Sequence, residues 1–360
     1  MPFVDKLGEA VIGKPRDPLH PETRHNMALV AFLAWIGLGA DGLSSACYGP
    51  EEAFLALGQY THFGLYLAAA TFLTVFIIAL AYNQVIELFP SGGGGYKVAT
   101  QLLGSKAGLI SGSALLVDYI LTIAISIAAG VDALFSLLPP SAQPYKLTAE
   151  MAFGIVLIVL NLRGMKESIQ ILLPIFLGFF LTHTFLILYG VIAHAEGLPH
   201  LIPDTLNETR QLTDHMGWAF AISLFLRAYS LGGGTYTGLE AVSNNVNMLS
   251  EPRVRTGTYT MLYMAGSLSF TAGGVILLYL LWNVQPIAHQ TLNAVTFNAI
   301  IASWQLDPTL SHGLLAVVLL LEAGLLFVAA NTGFLGGPTV LANMAVDSWV
   351  PRQFRNLSGR

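Results

Sequence analysis

The chain has 360 residues, of which 54% are hydrophobic and only 10% are charged, and its mean hydropathy is +0.64. Soluble domains average about 25% charged residues, so this composition excludes an ordinary water-exposed surface and predicts an integral membrane protein. The formal net charge of -5 says little about partners, and the single cysteine, Cys47, excludes an internal disulfide and a site with several cysteine ligands.

The chain begins with a polar stretch at 1–26 that lacks the apolar core of a cleavable signal peptide. Eight apolar segments follow, each read as a membrane crossing because a spanning helix needs about 20 mostly apolar residues. They are predicted at 27–57, 63–89, 107–138, 147–162, 169–193, 218–248, 258–282 and 313–341. Most of the 16 lysines and arginines fall on the side of the N-terminus, which predicts that both termini are cytoplasmic.

The first apolar segment contains a charged residue and several helix-weakening residues. Asp41 carries a charge, the glycines Gly39, Gly42 and Gly49 weaken the helix, and Pro50 lacks a hydrogen-bond donor. Broken backbone at membrane depth survives only where it is buried in protein or lines a watery cavity, so we interpret this segment as a discontinuous helix around a binding site. The alternative is a helix that ends at Gly39 and is followed by an exposed loop and a short second helix.

The third apolar segment carries a row of oxygen-bearing side chains. Asp118, Thr122 and Ser126 are spaced four residues apart, which places them along one face of a helix. A carboxylate inside a membrane helix is a candidate functional residue. The alternative for Thr122 and Ser126 is a hydrogen bond back to the carbonyl four residues earlier.

The sixth apolar segment contains a second break. The glycine run 232–234 interrupts it, and Thr235, Thr237 and Glu240 follow within two turns. Matched breaks in corresponding positions of two halves are typical of a transporter binding site near the membrane midplane. The alternative is that the glycines only permit close packing against a neighbouring helix.

Other polar residues carry weaker signals. Glu322 lies inside the eighth segment with no partner evident in the sequence, and it is a candidate for a polar path through the membrane. Cys47 is expected to be a small packing residue, and the glycine-rich stretch 91–97 is expected to be a flexible cytoplasmic turn. The histidines lie mainly in loops without metal-ligand spacing. Because no GxSxG, HExxH or paired-aspartate motif is present, the chain is not expected to be an enzyme.

On these residues the chain resembles the amino acid–polyamine–organocation superfamily, whose core is the LeuT-type inverted repeat of five plus five helices. Within it, the chain is most similar to the KimA-type potassium–proton symporters and to bacterial relatives known as amino acid permeases. The resemblance covers nearly the whole chain. It includes the FPSGGGGY turn at 89–96 and a later stretch that contains Asn331, Thr332, Asp347, Pro351 and Arg352.

The resemblance implies an all-α membrane protein of the LeuT-type inverted-repeat fold, with the first and sixth helices discontinuous and the second repeat truncated after the eighth helix. The expected organisation is a cytoplasmic tail at 1–26, a five-helix repeat at 27–193, a partial second repeat at 218–341 and a cytoplasmic tail at 342–360. The tenth helix of the family supplies a tyrosine ligand that no residue here replaces. A truncated member is therefore expected.

The resemblance also implies the residues of the site. The implied potassium ligands are Asp41, Tyr48, Asp118, Thr122, Ser126 and Thr237, and the implied proton-coupling residue is Glu240. Three carboxylates with hydroxyls and freed carbonyls suit a hard cation, which prefers oxygen ligands. A carboxyl group inside the membrane can also take up and release a proton.

The function expected is proton-coupled potassium uptake by a secondary transporter. The alternatives are a proton-coupled permease for amino acids, cationic ones included, or for polyamines, and a membrane sensor that does not transport. The expected partners are potassium and protons or an amino acid as transported species, the lipid bilayer, and a second copy of the chain in a homodimer. No cofactor and no nucleic acid are expected. The expected location is a bacterial-type inner (plasma) membrane.

Overall fold

The computed structural model describes residues 28–163 and 168–355, which form helices joined by short turns. In these residues the β contacts amount to one isolated bridge between Leu29 and Leu249, so the prediction of an all-α protein is confirmed. The predicted cytoplasmic tail at 1–26 and the chain end at 356–360 lie outside the described residues. The helices are α1 Ala31–Ser44, α2 Gly49–Leu55, α3 Gly64–Leu88, α4 Gly94–Leu103, α5 Ser105–Phe135, α6 Lys146–Arg163, α7 Ser168–Ala193, α8 Leu198–Met216, α9 Trp218–Leu231, α10 Ala241–Asn244, α11 Arg253–Leu281, α12 Leu292–Ala302 and α13 Pro308–Val346.

Among the described residues, six helical stretches are long and apolar enough to cross a membrane. They are Thr61–Leu88, Ser105–Phe135, Pro140–Leu162, Leu172–Ala193, Arg253–Leu281 and Pro308–Val346. They correspond to the six predicted segments that have no break, and the two broken segments contain α1 with α2 and α9 with α10. The chain is therefore a multi-pass membrane protein.

Three helices lie where the sequence predicted only connections. The stretch 91–97, expected to be a flexible turn, contains the start of α4, which follows glycines with positive φ at Gly92 and Gly93. The connections after the fifth and seventh segments contain α8 and α12. These helices were missed because none of them has the run of about 20 apolar residues that identifies a membrane crossing.

Helix starts follow the local sequence. Pro50 occupies the first turn of α2, where its missing N–H is not needed, and Glu51 and Glu52 place negative charge near the helix N-terminus. Thr291 caps α12 by accepting a hydrogen bond from the Ala294 N–H at 3.1 Å. Asp307 caps α13 by accepting from the Thr309 N–H at 2.9 Å.

The core is formed by helices of the first half that pack on helices of the second half. The two most extensive helix pairs are α5 with α13 and α3 with α11. The first helix packs between α11, α13 and α7, and the Trp35 indole donates to the Ser267 hydroxyl of α11 at 3.0 Å. Between α6 and α13, the Asn161 amide donates to the Asn331 side-chain oxygen at 2.7 Å. The contacts of α1 place the first broken segment in the middle of the bundle.

Candidate functional site

The first break begins later in the chain than its glycines suggest. Helix α1 runs through Gly39 and Gly42 to Ser44 and is followed by a short 3-10 turn at Ser45–Cys47, before α2 begins at Gly49. The Ser44 hydroxyl donates to the Asp41 carbonyl oxygen at 2.8 Å, so hydroxyl groups satisfy carbonyls at the end of the helix. The alternative of an exposed loop after Gly39 is wrong, because this whole stretch is buried.

The second break follows α9 directly. A 3-10 turn at Gly232–Tyr236 leads to extended backbone at Thr237 and to Gly238, whose φ is +85°. Helix α10 then starts after Glu240 and is only four residues long. This irregular backbone is buried against the first break, which is the setting in which it is tolerated at membrane depth.

The two breaks contact each other through their backbones. A Cβ atom added to Gly238 would lie 2.8 Å from the Asp41 carbonyl carbon, and one added to Gly49 would lie 2.8 Å from the Thr235 nitrogen. The Ser45 hydroxyl is 2.7 Å from the Thr235 carbonyl oxygen, which gives that freed carbonyl a donor. The glycines of both segments are therefore required for this close approach. Close packing, which the sequence offered as the alternative role of the glycines in the sixth segment, is therefore observed between the two segments.

Three oxygen atoms from the two breaks lie together beside this contact. The Tyr48 phenol oxygen is 3.3 Å from the Thr237 hydroxyl and 3.5 Å from the Gly234 carbonyl oxygen. The Thr237 hydroxyl is in turn 3.0 Å from the same carbonyl oxygen. Tyr48 and Thr237, two of the residues predicted for the site, are thus brought together directly.

The three predicted carboxylates lie near one another without forming a cluster of metal ligands. Asp41 is 2% exposed and Glu240 is 7% exposed, whereas Asp118 is half-buried. Asp41 is in electrostatic range of both Glu240 and Asp118. In the described part of the chain, however, no three His, Cys, Asp or Glu side chains are close enough to hold one metal ion. Any ion here would therefore be bound mainly by hydroxyl and carbonyl oxygens.

Several of these buried oxygens have no hydrogen-bond partner. One carboxyl oxygen of Asp41, one of Glu240 and the Ser126 hydroxyl belong to this group. Unpaired buried oxygens are uncommon in proteins, because a buried polar group without a partner costs free energy, and a bound ion can satisfy them. Ser126 also lacks the back-bond to a carbonyl that the sequence offered as its alternative role.

The α5 face is buried but is not hydrogen-bonded to the breaks. Thr122 is 3% exposed and Ser126 is 0% exposed, as expected for side chains that point into the bundle. Among the described residues, no hydrogen bond joins Asp118, Thr122 or Ser126 to the two breaks. From this face, the half-buried Asp118 carboxylate is in electrostatic range of Asp41.

The sequence did not identify one neighbour of the site. The side chain of Thr332 on α13 interacts with the Asp41 carboxylate. Thr332 belongs to the stretch that carries the family resemblance, but nothing in its local pattern distinguishes it from other threonines of a membrane helix. Only the packing of α13 against α1 identifies it.

A cavity of about 480 Å³ lies beside α4. It is lined by residues of α4, of the segment after α10 and of the end of α13, among them Lys97, Asn244, Asn343 and Asp347. Asn244 lies one turn after Glu240, and its amide donates to the Tyr119 phenol oxygen at 2.8 Å. The cavity wall therefore contains a residue one turn along the chain from the buried Glu240 carboxylate.

Two broken helices that meet in the core of a bundle of apolar membrane helices define a helical membrane protein with a polar site at its centre. A family model described as amino acid permease matches residues 44–360, and the chain therefore belongs to the amino acid permease family. This confirms the resemblance seen in the sequence, and it confirms that the chain is not an enzyme, because the family consists of permeases.

Two curated relatives carry names that refer to potassium. The chain is 32% identical over 360 residues to the potassium transporter KimA of Bacillus subtilis (strain 168), covering 96% of this chain and 54% of that protein. It is 24% identical over 329 residues to the low affinity potassium transport system protein Kup of Yersinia pseudotuberculosis serotype O:1b (strain IP 31758), covering 84% of this chain and 48% of that protein. The chain spans about half the length of the curated relatives it matches.

Proposed function

We propose that this chain forms the cation-binding core of a secondary transporter that takes up potassium together with protons. The potassium ion would bind between α1, α5 and the second break. Its proposed ligands are Asp41, Tyr48, Asp118, Thr122, Ser126 and Thr237, together with the Gly234 carbonyl oxygen. The observation that carries this proposal is the meeting of the Tyr48, Thr237 and Gly234 oxygens beside a buried Asp41 oxygen that has no partner.

The chemistry of these atoms suits a monovalent hard cation. Potassium is held in proteins by carbonyl and hydroxyl oxygens that replace its hydration shell. A buried carboxylate beside them compensates the charge of the ion at low dielectric. The names of the two potassium-transporting relatives support the same substrate.

The space between the breaks favours an ion over an amino acid. An amino acid carrier of this architecture would expose the backbone of its first break to the substrate carboxylate. Here that backbone is covered, because a Cβ atom added to Gly238 would lie 2.9 Å from the Gly42 Cα. The three acidic side chains would also repel a substrate carboxylate. A cationic amino acid or a polyamine remains the second candidate, supported by the description of the family.

Binding of the ion by the whole chain tests this proposal without requiring a complete transport cycle. The protein in lipid nanodiscs would be incubated with radioactive rubidium as the probe, and potassium, lysine, putrescine and alanine would be added as competitors. We expect potassium to displace rubidium, and the three organic compounds to leave it bound. Displacement of rubidium by lysine or putrescine but not by potassium would overturn the potassium proposal in favour of the second candidate. Absence of rubidium binding would overturn it as well.

The proton is assigned to Glu240, which is buried one turn from the cavity on the α4 side. We expect the rubidium affinity of the natural chain to change with pH, because a proton on Glu240 changes the charge near the ion. The Glu240→Gln variant should bind rubidium with an affinity that depends clearly less on pH. Glu87→Gln, an exposed glutamate at the end of α3, is the matched control and should keep the pH dependence. An unchanged pH dependence in Glu240→Gln would remove Glu240 from this role.

A further inference from the structure

A second group of polar side chains is buried where α12 packs on the first break. Glu322 on α13 and His183 on α7 are each 1% exposed. Glu322 Oε1 accepts a hydrogen bond from the Asn293 amide at 2.9 Å, and the same amide is 3.3 Å from the Cys47 carbonyl oxygen. The Tyr279 phenol donates to the Asn293 side-chain oxygen at 2.6 Å. Glu322 is thus connected to three neighbouring elements, α11, α12 and the first break, although the sequence indicated no partner.

The hydrogen bonds of His183 determine which of its ring nitrogens carries the hydrogen. Nδ1 lies 3.0 Å from the Phe179 carbonyl oxygen, which can only accept, so Nδ1 is the donor. The Thr182 hydroxyl beside Nδ1 already donates to the Gly178 carbonyl oxygen at 2.8 Å. In a neutral imidazole, Nε2 is then the nitrogen with the free lone pair.

This lone pair faces a second acceptor across a short gap. His183 Nε2 lies 3.8 Å from Glu322 Oε2, and neither atom has a hydrogen-bond partner. The ring of His183 stacks on Phe179 with centroids 3.7 Å apart and meets the edge of Phe297 at 5.0 Å, so its surroundings are otherwise apolar. Two buried acceptors that face each other in an apolar pocket are stabilised by one shared proton.

The other titratable groups that face this pair add no positive charge. The Cys47 thiol interacts with the Glu322 carboxyl group from the first break. Glu51 on α2 and the Tyr279 phenol on α11 are in electrostatic range of the same group. From α12 the neighbour is the neutral Asn293 amide. Among the described residues, His183 is the basic side chain that pairs with Glu322.

We propose that His183 and Glu322 form a proton-binding site in which one proton is shared between Nε2 and Oε2. The proton comes from water and returns to water. The shared proton joins His183 on α7 to the hydrogen-bonded side chains around Glu322, which already link α11, α12, α13 and the first break. This site is separate from the cation site proposed above and does not rest on the proposed function, because a chain that binds no potassium can still bind this proton.

Nuclear magnetic resonance of the whole chain in nanodiscs, with isotopically labelled histidine nitrogens, tests this proposal. The His183 signals are those that disappear in His183→Gln. We expect Nε2 to change from a lone-pair signal to a protonated or strongly hydrogen-bonded signal as the pH is lowered from about 8 to about 5. In Glu322→Gln the proton affinity of His183 should change by at least about tenfold, because the negative partner is lost.

The matched control is His194→Gln, which removes a histidine that follows the last residue of α7 and contacts the Trp282 ring, and which should leave the His183 signals unchanged. A lone-pair signal at Nε2 over the whole pH range would overturn the proposal. The same proton affinity in Glu322→Gln as in the natural chain would also overturn it. Nε2 of the natural chain could also be protonated over the whole pH range and become titratable only in Glu322→Gln. That result would support the proposal, because it would show that Glu322 holds the proton tightly on His183.

If Glu322→Gln does not fold, Glu322→Asp provides the same test. It keeps the charge but withdraws the carboxylate from Nε2 by one methylene group. We expect the proton affinity of His183 to fall by at least about threefold, because the electrostatic attraction weakens with distance. An unchanged affinity in this variant would overturn the proposal.

Discussion

At the scale of single residues, the site depends on oxygen atoms that the fold leaves without partners. A buried carboxylate next to other carboxylates is unfavourable unless a cation or a proton compensates it. Asp41 is the most enclosed of the three proposed carboxylates, and its neighbours are the Thr332 side chain, Glu240 and Asp118. None of these neighbours is basic, so an ion is the natural partner for its charge.

Replacing Asp41 tests this reasoning directly. We expect Asp41→Asn to weaken rubidium binding by at least about tenfold, because the neutral amide no longer compensates the charge of the ion. Equilibrium binding with radioactive rubidium measures the effect. Asp132→Asn is the control, since Asp132 lies on α5 away from the site and pairs with Lys146. Equal affinities for Asp41→Asn and the natural chain would exclude Asp41 from the ligands.

The residue scale also shows how far sequence reasoning reaches. The polar residues of the site were predictable because a charge or a break inside an apolar segment is conspicuous. Thr332 and His183 were not, because a threonine or histidine within a membrane helix has no local pattern that identifies its partner. The end of α1 was misjudged for a related reason: Gly39 and Gly42 stay helical, and the Ser44 hydroxyl bonds a carbonyl where the helix ends.

At the scale of elements, the two breaks act as one unit because their backbones touch. Gly238 has a positive φ and faces the backbone of Gly42, so both its conformation and its contact require glycine.

The six uninterrupted spans were predictable from length and hydropathy, which depend on composition alone. The connecting helices α8 and α12 were not, since their stability comes from packing on neighbouring helices.

Substitutions of Gly238 and Gly233 distinguish the contact between the two breaks from the turn in which both glycines lie. We expect Gly238→Ala to lower thermal stability by about 1–2 kcal/mol from backbone strain and to abolish rubidium binding by forcing the breaks apart. Gly233→Ala, in the same turn but with open space around its Cβ position, should change stability by less than about 0.5 kcal/mol and keep binding. Thermal unfolding and rubidium binding measure both effects. Normal binding by Gly238→Ala would mean that the contact is not needed for the site.

Helix α8 carries a carboxyl group, that of Glu208, whose ionisation destabilises the folded state. Burial raises the pKa of Glu208 above its ordinary value of 4.5, while His62 and the N–H groups of His62 and Phe63 partly oppose the shift. A carboxyl group with a raised pKa in the folded state stabilises the protein below its unfolded pKa. That contribution is lost as the pH rises through the folded pKa.

Glu208→Gln removes this titration. The melting temperature of the variant, relative to that of the natural chain, should therefore rise as the pH increases from about 4 to about 7. Thermal unfolding at several pH values measures the difference. Asp204→Asn, at an exposed position on the same helix, is the control and should show a constant difference. A constant or falling difference for Glu208→Gln would contradict the expected sign.

At the scale of the whole molecule, helices of the first half pack against helices of the second half. Segment one meets segment six at the breaks, segment two packs on segment seven, and segment three packs on segment eight. This pairing is what an inverted repeat predicts. Within the described residues it leaves a cavity of about 480 Å³ beside α4, and the distribution of basic residues predicts that this side is cytoplasmic.

Thiol labelling tests on which side of the membrane this cavity opens. In a chain in which Cys47 is replaced by serine, we expect Asn343→Cys, in the cavity wall, to react with a membrane-impermeant thiol reagent from the cytoplasmic side. Val340→Cys on the same helix should react at least about tenfold more slowly, because Val340 is only 5% exposed and packs in the core. Inside-out and right-side-out vesicles distinguish the two sides of the membrane. Labelling of Asn343→Cys from the opposite side would reverse the predicted orientation.

The hydrogen bond from Ser45 to the Thr235 carbonyl joins residues 190 positions apart in the chain. During synthesis, the first segment therefore leaves the ribosome long before the Thr235 carbonyl that its Ser45 hydroxyl satisfies. A freed carbonyl at membrane depth needs a donor from the protein or from water. Stable insertion of the sixth segment should accordingly depend on a first segment that is already in place, which orders the two halves in the biogenesis of this protein.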